Sequence, residues 1–180
     1  MSAIRALSVV LLFFAPNISQ AEDTQGFIGA FMDNCATHAG NLKRFSAMIE
    51  LDPRFEALTP RMLEMVAPNS TDGESAGWLV RNGLGAPYIL SLNTIPRGQL
   101  GDTEHIICSM IGDHISEDVL FEKLQNIQVL GDLINTSIDK GQRTRLWRAQ
   151  NITHVPFVMM NDSSPLGAAG VTLSSIAPLK

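Results

Sequence analysis

The chain is 180 residues long and 45 % of them are hydrophobic, a length and composition that fit one domain with a single core. Its 13 basic and 18 acidic side chains give a net charge of −5. The basic residues are scattered apart from Arg143, Arg145 and Arg148. Phosphate binding needs a concentrated positive field, so this distribution argues against a nucleic-acid partner.

Residues 1–21 have the three parts of an export signal. Arg5 supplies a positive charge, an apolar run follows it, and Ser19 and Ala21 are the small residues that a signal peptidase reads. A run of about ten apolar residues spans only about 15 Å as a helix, half of a bilayer core of roughly 30 Å, so no stable membrane anchor is expected after cleavage. We predict cleavage after Ala21 and a single domain of residues 22–180, located in the periplasm or secreted.

The cysteines indicate one disulfide bond. Cys35 and Cys108 are the two cysteines of the chain, and both follow the predicted export signal. Disulfides persist outside the cytoplasm, so we predict that Cys35 and Cys108 pair, with two separate buried thiols as the alternative. Catalytic dithiols usually have a C-x-x-C spacing, which these distant residues lack.

Three helices are predicted within residues 24–66. Gly40 is the expected end of the first helix, and the second should end before Pro53 because the residue preceding a proline is disfavoured in helical geometry. Thr59 and Pro60 are typical of a helix cap and first helical position, and they begin the third helix. The apolar positions at helical spacing are Phe27, Ile28, Phe31, Met32 and Cys35, then Leu42, Phe45, Met48 and Ile49, then Met62, Leu63 and Val66.

A first run of strands follows a polar loop at residues 67–76. Alternating segments at 78–80 and 88–92 flank Asn82-Gly83, a pair typical of a tight hairpin turn. The next strand, Glu104–Ile111, has apolar residues on both faces. We therefore predict that it is a central strand covered on both sides.

A further helix is predicted to begin at Ser116, with Ile115 and Leu120 forming a hydrophobic staple. Its buried stripe should be Leu120, Leu124 and Ile127, and Gly131 is its expected terminator. Four more strands follow, at 133–138, 144–149, 155–160 and 171–176, with a turn at 139–141 and a Ser-, Pro- and Gly-rich loop at 161–170.

Strands that occur in runs favour an antiparallel sheet over alternating βαβ units. The predicted fold class is therefore α+β, with N-terminal helices packed on a mainly antiparallel sheet and one further helix between two runs of strands. On this arrangement the bridge from Cys35 to Cys108 would hold the first helix against the central strand.

His105 and His114 are the candidates for acid–base or metal chemistry. A small periplasmic hydrolase could use His105 or His114, although the sequence has no G-x-S-x-G nucleophile motif. Their separation places them at the two ends of one strand, and nearby Glu117 and Asp118 already suit the positive end of a helix dipole. We therefore predict no metal site and no cofactor.

Arg143, Arg145 and Trp147 alternate onto one face of a predicted strand. Two guanidinium groups beside an indole suit a carboxylate, sulfate, phosphate or sugar, through bidentate hydrogen bonds and stacking. This is the predicted ligand-binding surface. The alternative is a solvated strand face that carries long side chains without a binding role.

The chain resembles an uncharacterised family of small secreted or periplasmic proteins of alphaproteobacteria. The resemblance rests on the export signal, Ala30-Phe31-Met32-Asp33-Asn34-Cys35, Gly77-Trp78-Leu79 and Ile107-Cys108-Ser109. It implies a periplasmic setting and a single disulfide. The family has no assigned activity, so the resemblance implies no catalytic residue.

These observations predict an exported, non-enzymatic domain that binds a small ligand or an envelope protein through its sheet face or the loop after Met160. The alternatives are the small hydrolase and an inhibitor or accessory of an envelope enzyme. The last alternative would expose an apolar patch near the Pro- or Gly-rich loops.

Overall fold

A computed structural model of the chain describes residues 18–66, 75–81, 86–98, 101–162 and 170–179. It has the predicted α+β fold, with helices and one large antiparallel sheet. The helices are α1 (Ile18–Phe31), extended by a π-helical turn at Met32–Ala36, α2 (Leu42–Ile49), α3 (Pro60–Val66) and α4 (Glu117–Asn126). The strands are β1 (Phe55–Ala57), β2 (Ser75–Val80), β3 (Tyr88–Ile95), β4 (His105–Gly112), β5 (Leu130–Asp139), β6 (Gln142–Ala149), β7 (Phe157–Asn161) and β8 (Val171–Pro178).

The eight strands form one antiparallel sheet in the order β1-β2-β3-β4-β8-β7-β6-β5. The C-terminal strand β8 enters the middle of the sheet and joins the two runs of strands. β4 is central and largely buried on both faces, which confirms the prediction made from its apolar pattern. The two ends of the sheet are β1, which is three residues long, and β5, which is ten.

Most helices cover one face of the sheet, which we call the helical face. Phe27 and Phe31 of α1 are buried in the same core as Met110 of β4 and Leu120 of α4. Trp78 of β2 packs on α2, with its ring 6.0 Å from that of Phe45. The opposite face carries a smaller apolar cluster in which α3 packs against Ile89 and Ile111.

The predicted disulfide is present. Cys35, in the π-helical turn, bridges to Cys108 of β4 across 73 positions of sequence. Both residues are buried, and the hydroxyl of Ser175 on β8 donates to the Cys35 carbonyl at 3.2 Å. The C-terminal end of the first helix is therefore attached to the two central strands.

The predicted helix starts agree with the structure better than the first predicted stop. The first helix ends at Ala36 and not at Gly40, which has a φ of 77° in the turn that follows, and Asn41 caps α2 by accepting a hydrogen bond from the Arg44 amide. α3 begins at Pro60 as expected, and the Thr59 hydroxyl accepts from the Met62 amide at 3.4 Å. Local sequence rules therefore account for most of these boundaries.

The end of α4 differs from the prediction. The helix stops at Asn126, and Gln128, with a φ of 54°, takes the left-handed conformation that was assigned to Gly131. Gly131 lies in β5, where a Cβ atom would come within 2.9 Å of the Arg148 carbonyl oxygen. Ile127 is 44 % exposed because it follows the last helical turn, so it is not part of the buried stripe.

Other predictions fall outside the described residues. These are the first 17 residues of the export signal, the turn at Asn82-Gly83, and most of the loops at 67–76 and 161–170. The predicted cleavage position after Ala21 lies within α1. None of the helices in the described ranges has the length and apolar composition that a membrane crossing requires.

Candidate functional site

The β5–β6 hairpin is the most exposed part of the sheet. From Asp132 to Asp139 every residue of β5 is exposed, whereas the central strands are largely buried. Three large apolar side chains are among them, with exposed fractions of 54 % for Leu133, 46 % for Ile134 and 70 % for Ile138. No described strand pairs with the outer side of β5, which is the last strand in the sheet order.

The hairpin turn determines which backbone groups of β5 face outward. Lys140 and Gly141 have φ values of 50° and 84°, as in a type I′ turn, and Asp139 pairs with Gln142 across it. The pair that closes a two-residue hairpin is hydrogen-bonded, and such pairs alternate along an antiparallel ladder. Asp139 and Ser137 therefore bond to β6, whereas Ile138 and Thr136 direct their N–H and C=O groups outward.

The neighbouring strand agrees with this assignment. Arg143, which lies opposite Ile138, makes its backbone hydrogen bonds on the β7 side. Its amide donates to the Asp162 carboxylate at 2.6 Å, and its carbonyl accepts from the Asp162 amide at 3.0 Å. The backbone of Ile138 consequently has no bond to Arg143 and presents its groups to the open edge.

The two halves of β5 differ in regularity. Register shifts interrupt the pairing with β6 between Leu130 and Leu133 and again between Leu133 and Asn135. From Asn135 to Asp139 the register is continuous. Bulges twist an edge away from new partners, so the regular second half is the part of β5 that is suited to receive another strand.

The predicted ligand surface, Arg143, Arg145 and Trp147, lies on the helical face. Arg145 donates to the carboxylate of Glu117 in the first turn of α4, and its guanidinium carbon is 5.0 Å from the centre of the Phe121 ring. Arg143 is farther from the same carboxylate, at 3.8 Å, and its side chain is 46 % exposed.

Trp147 is buried beneath the same helix. It is 4 % exposed, and its ring lies 5.9 Å from that of Phe121. Arg145 and Trp147 therefore have contacts that attach α4 to β6, and a ligand of Arg145 would have to compete with Glu117. Ligand binding by Arg143, Arg145 and Trp147 stays a prediction.

His105 and His114 are not brought together. His105 begins β4 and His114 follows its last residue, so roughly 20 Å of strand separates them. His105 Nδ1 lies 2.9 Å from the Thr103 carbonyl oxygen, and the His114 ring stacks on Tyr88 with its Nε2 buried and unpaired. Within the described residues neither imidazole is hydrogen-bonded to a hydroxyl or carboxylate, the partners that acid–base catalysis requires.

Three buried serines form a row across the opposite face of the sheet. Ser91 on β3 faces Ser109 on β4, which faces Ser174 on β8. The Ser109 and Ser174 hydroxyls are 2.8 Å apart, whereas the Ser91 hydroxyl has no hydrogen-bond partner among the described residues. His105 is four residues from Ser109 on the same strand, about 13 Å away, so it cannot activate this hydroxyl.

One titratable group near the disulfide is perturbed. Burial and the neighbouring Arg44 lower the pKa of His38 below its ordinary value of 6.5. Its Nδ1 is buried without a partner, and its ring lies 5.8 Å from that of Phe45. His38 is therefore favoured in its neutral form, as a packing residue between the first helix and α2.

In the described ranges no three His, Cys, Asp or Glu residues are close enough to share a metal ion.

No family model, curated protein or solved structure shows a significant match to this chain. The proposed function therefore depends on the geometry of the molecule itself.

Periodicity predicts a strand and a turn at β5 but does not show that this strand lies at the end of the sheet. The sequence signal for an open edge is the alternation of the β-branched residues Ile134, Thr136 and Ile138, in a segment from Leu133 to Ile138 that has no lysine or proline to protect it.

Proposed function

We propose that this protein is an exported, non-enzymatic domain that binds another protein by accepting a β-strand at the edge β5. In this mode of recognition the backbone of an extended segment bonds to an open sheet edge, and side chains on alternate residues provide specificity. The edge is held rigidly, because β5 is hydrogen-bonded to β6 and β6 continues into the central sheet.

One observation carries this proposal: the regular half of β5 combines outward backbone groups with exposed apolar side chains. Thr136 and Ile138 direct their N–H and C=O groups to the open edge, and Ile138 is 70 % exposed. Natural sheet edges are usually short, charged, bulged or covered, and an uncovered apolar edge marks an interaction site. The residues from Asn135 to Asp139 have none of these protections apart from the terminal aspartate.

The other candidate sites support the choice of β5 by contrast. Arg145 and Trp147 are occupied by contacts with α4. His105 and His114 lie at opposite ends of β4, and in the described ranges neither is hydrogen-bonded to the hydroxyl or carboxylate that hydrolysis would need. The open edge of β5 is therefore the feature whose geometry best fits a binding function.

The exported setting is supported by the leader-like first 21 residues and by the disulfide. Expression of the full chain in a bacterium, followed by mass spectrometry of the periplasmic fraction, tests this part of the proposal. We expect a processed protein that begins at Glu22 and contains no free thiol. A protein that still begins at Met1 and stays in the cytosol would contradict it.

The binding proposal is tested with an edge-blocked variant. Proline at position 138 removes an outward N–H without breaking the ladder to β6, which is the situation in which edge strands tolerate proline. Leu51→Ser is the matched control, because Leu51 is an 86 % exposed apolar residue between α2 and β1, and β1 lies at the opposite end of the sheet from β5.

Exported wild-type protein and both variants are immobilised and exposed to an envelope extract, and the retained proteins are quantified by mass spectrometry. We expect the same retained partner with wild type and Leu51→Ser, and its loss with Ile138→Pro. Equal retention by all three proteins would overturn the proposal.

A further inference from the structure

We propose that the strand accepted by β5 is the β5 strand of a second copy of this chain, in a twofold antiparallel pair centred on Thr136. This inference rests on the proposed function and names its partner. Pairing would join the two sheets edge to edge into one continuous sheet.

The backbone directions limit the possible registers. Thr136 and Ile138 face outward, so hydrogen-bonded pairs between copies must join residues of this alternate set. A twofold axis at Thr136 meets this condition, because Thr136 then faces Thr136 of the second copy. In the same register Asn135 lies opposite Ser137 of the second copy, so the paired segment falls where the register of β5 with β6 is continuous, and Ile134, at the bulge, lies at the end of this segment near Ile138 of the other copy.

The side chains favour this register. Thr136 and Ile138 lie opposite Arg145 and Arg143 of β6 and so share the helical face of the sheet. Cross-strand pairs of β-branched residues are among the more stabilising in antiparallel sheets. Pairing would also cover Ile138, the most exposed apolar side chain of β5.

The charges favour an antiparallel copy over a parallel one. Asp132 precedes the apolar segment and Lys140 follows it in the turn. Antiparallel pairing about Thr136 places the end of β5 that carries Asp132 in each copy towards the turn that carries Lys140 in the other. A parallel arrangement would instead place Asp132 beside Asp132 and Lys140 beside Lys140, which is unfavourable. The segment is therefore complementary to itself.

The opposite end of the sheet does not repeat the feature. β1 is three residues long and its Glu56 is paired with Arg81 at 2.7 Å. A short, charged edge resists further pairing, so self-association through β5 closes as a dimer instead of growing into a fibre. A strand-to-strand contact buries less than a standard interface of about 1,600 Å², so the dimer should depend on protein concentration.

Sedimentation velocity on the exported protein tests the inference. Wild type, Ile138→Pro, Ile138→Lys and the control Leu51→Ser are compared over about a hundredfold range of concentration. We expect wild type and Leu51→Ser to shift from monomer to dimer, and both Ile138 variants to remain monomeric. The lysine variant keeps the test valid if the proline variant does not fold.

The register is tested by cross-linking. A Thr136→Cys variant should form a covalent dimer with a short bismaleimide, whereas Asp118→Cys, on the exposed side of α4, should not. Dimers that persist in Ile138→Lys, or that cross-link equally at both positions, would overturn the inference.

A wild-type protein that stays monomeric throughout would also overturn the inference. The proposed function would then still be decided by the comparison of retained proteins, in which loss of a different partner with Ile138→Pro supports strand addition by another protein.

Discussion

Arg145 and Arg143 should contribute very unequally to stability, although they lie two residues apart on the same strand face. The Arg145 side chain is 14 % exposed, bonds to Glu117 and covers the Phe121 ring, whereas Arg143 is 46 % exposed and 3.8 Å from the carboxylate. A charge-assisted hydrogen bond is worth about 1.5–3 kcal/mol, and a partly exposed cation–π contact adds about 0.5–1 kcal/mol.

We therefore expect Arg145→Ala to lower the free energy of unfolding by about 2–3 kcal/mol, and Arg143→Ala by less than about 1 kcal/mol, as for an exposed ion pair. Urea denaturation followed by far-ultraviolet circular dichroism measures both changes. A double-mutant cycle with Glu117→Gln should give a coupling energy of at least about 1 kcal/mol for Arg145. Equal losses for the two arginines, or no coupling to Glu117, would refute the view that this pair attaches α4 to the sheet.

Three further outcomes are expected. Replacing Cys35 and Cys108 together by alanine should lower the free energy of unfolding by about 4 kcal/mol, the value for closing a loop of this length, as measured by urea denaturation. Ser174→Ala should lower the free energy of unfolding by about 1–2 kcal/mol, because it leaves the buried Ser109 hydroxyl without its partner. Ser91→Ala should not lower it, because the Ser91 hydroxyl has no hydrogen-bond partner in the described part of the chain; the same denaturation assay should give this order and not the reverse. The pKa of the His38 imidazole is lower in the folded protein than in the unfolded chain, so protonation favours the unfolded chain. The free energy of unfolding should therefore have its full contribution from neutral His38 above pH 6.5 and should decrease as the pH falls below that value. His38→Gln should reduce this decrease.

Much of the fold follows from local sequence rules. The start of α3 at Pro60 depends on the backbone preference of a single residue, which acts in the same way in any context. The central position of β4 was predictable because apolar residues occupy both of its alternating faces. The disulfide followed from the number of cysteines and the export signal.

Other features depend on contacts between distant parts of the chain. β1 is too short to have a periodic pattern, and it forms because β2 supplies its partners. Gln128 takes the left-handed conformation after α4, where Gly131 was the expected terminator. Gly131 instead lies in β5 close to the Arg148 carbonyl, where a larger residue would not fit.

The candidate site could be predicted only in part for the same reason. Alternation correctly placed Arg143, Arg145 and Trp147 on one face, but which face α4 covers is decided by tertiary packing. Similarly, the segment from Leu133 to Ile138 is a strand by composition, and its position at the end of the sheet results from β8 entering the centre.

Amide hydrogen exchange on the exported protein tests the central claim, an open edge at β5 that receives a strand, most directly. In dilute solution the Thr136 and Ile138 amides should exchange rapidly, and the Ser137 and Asp139 amides slowly, because only the latter pair bonds to β6. At high protein concentration, exchange at Thr136 and Ile138 should slow by at least about tenfold. The account would be contradicted if the Thr136 and Ile138 amides were as protected as the Ser137 amide already in dilute solution. It would also be contradicted if the Thr136 and Ile138 amides exchanged rapidly at every protein concentration.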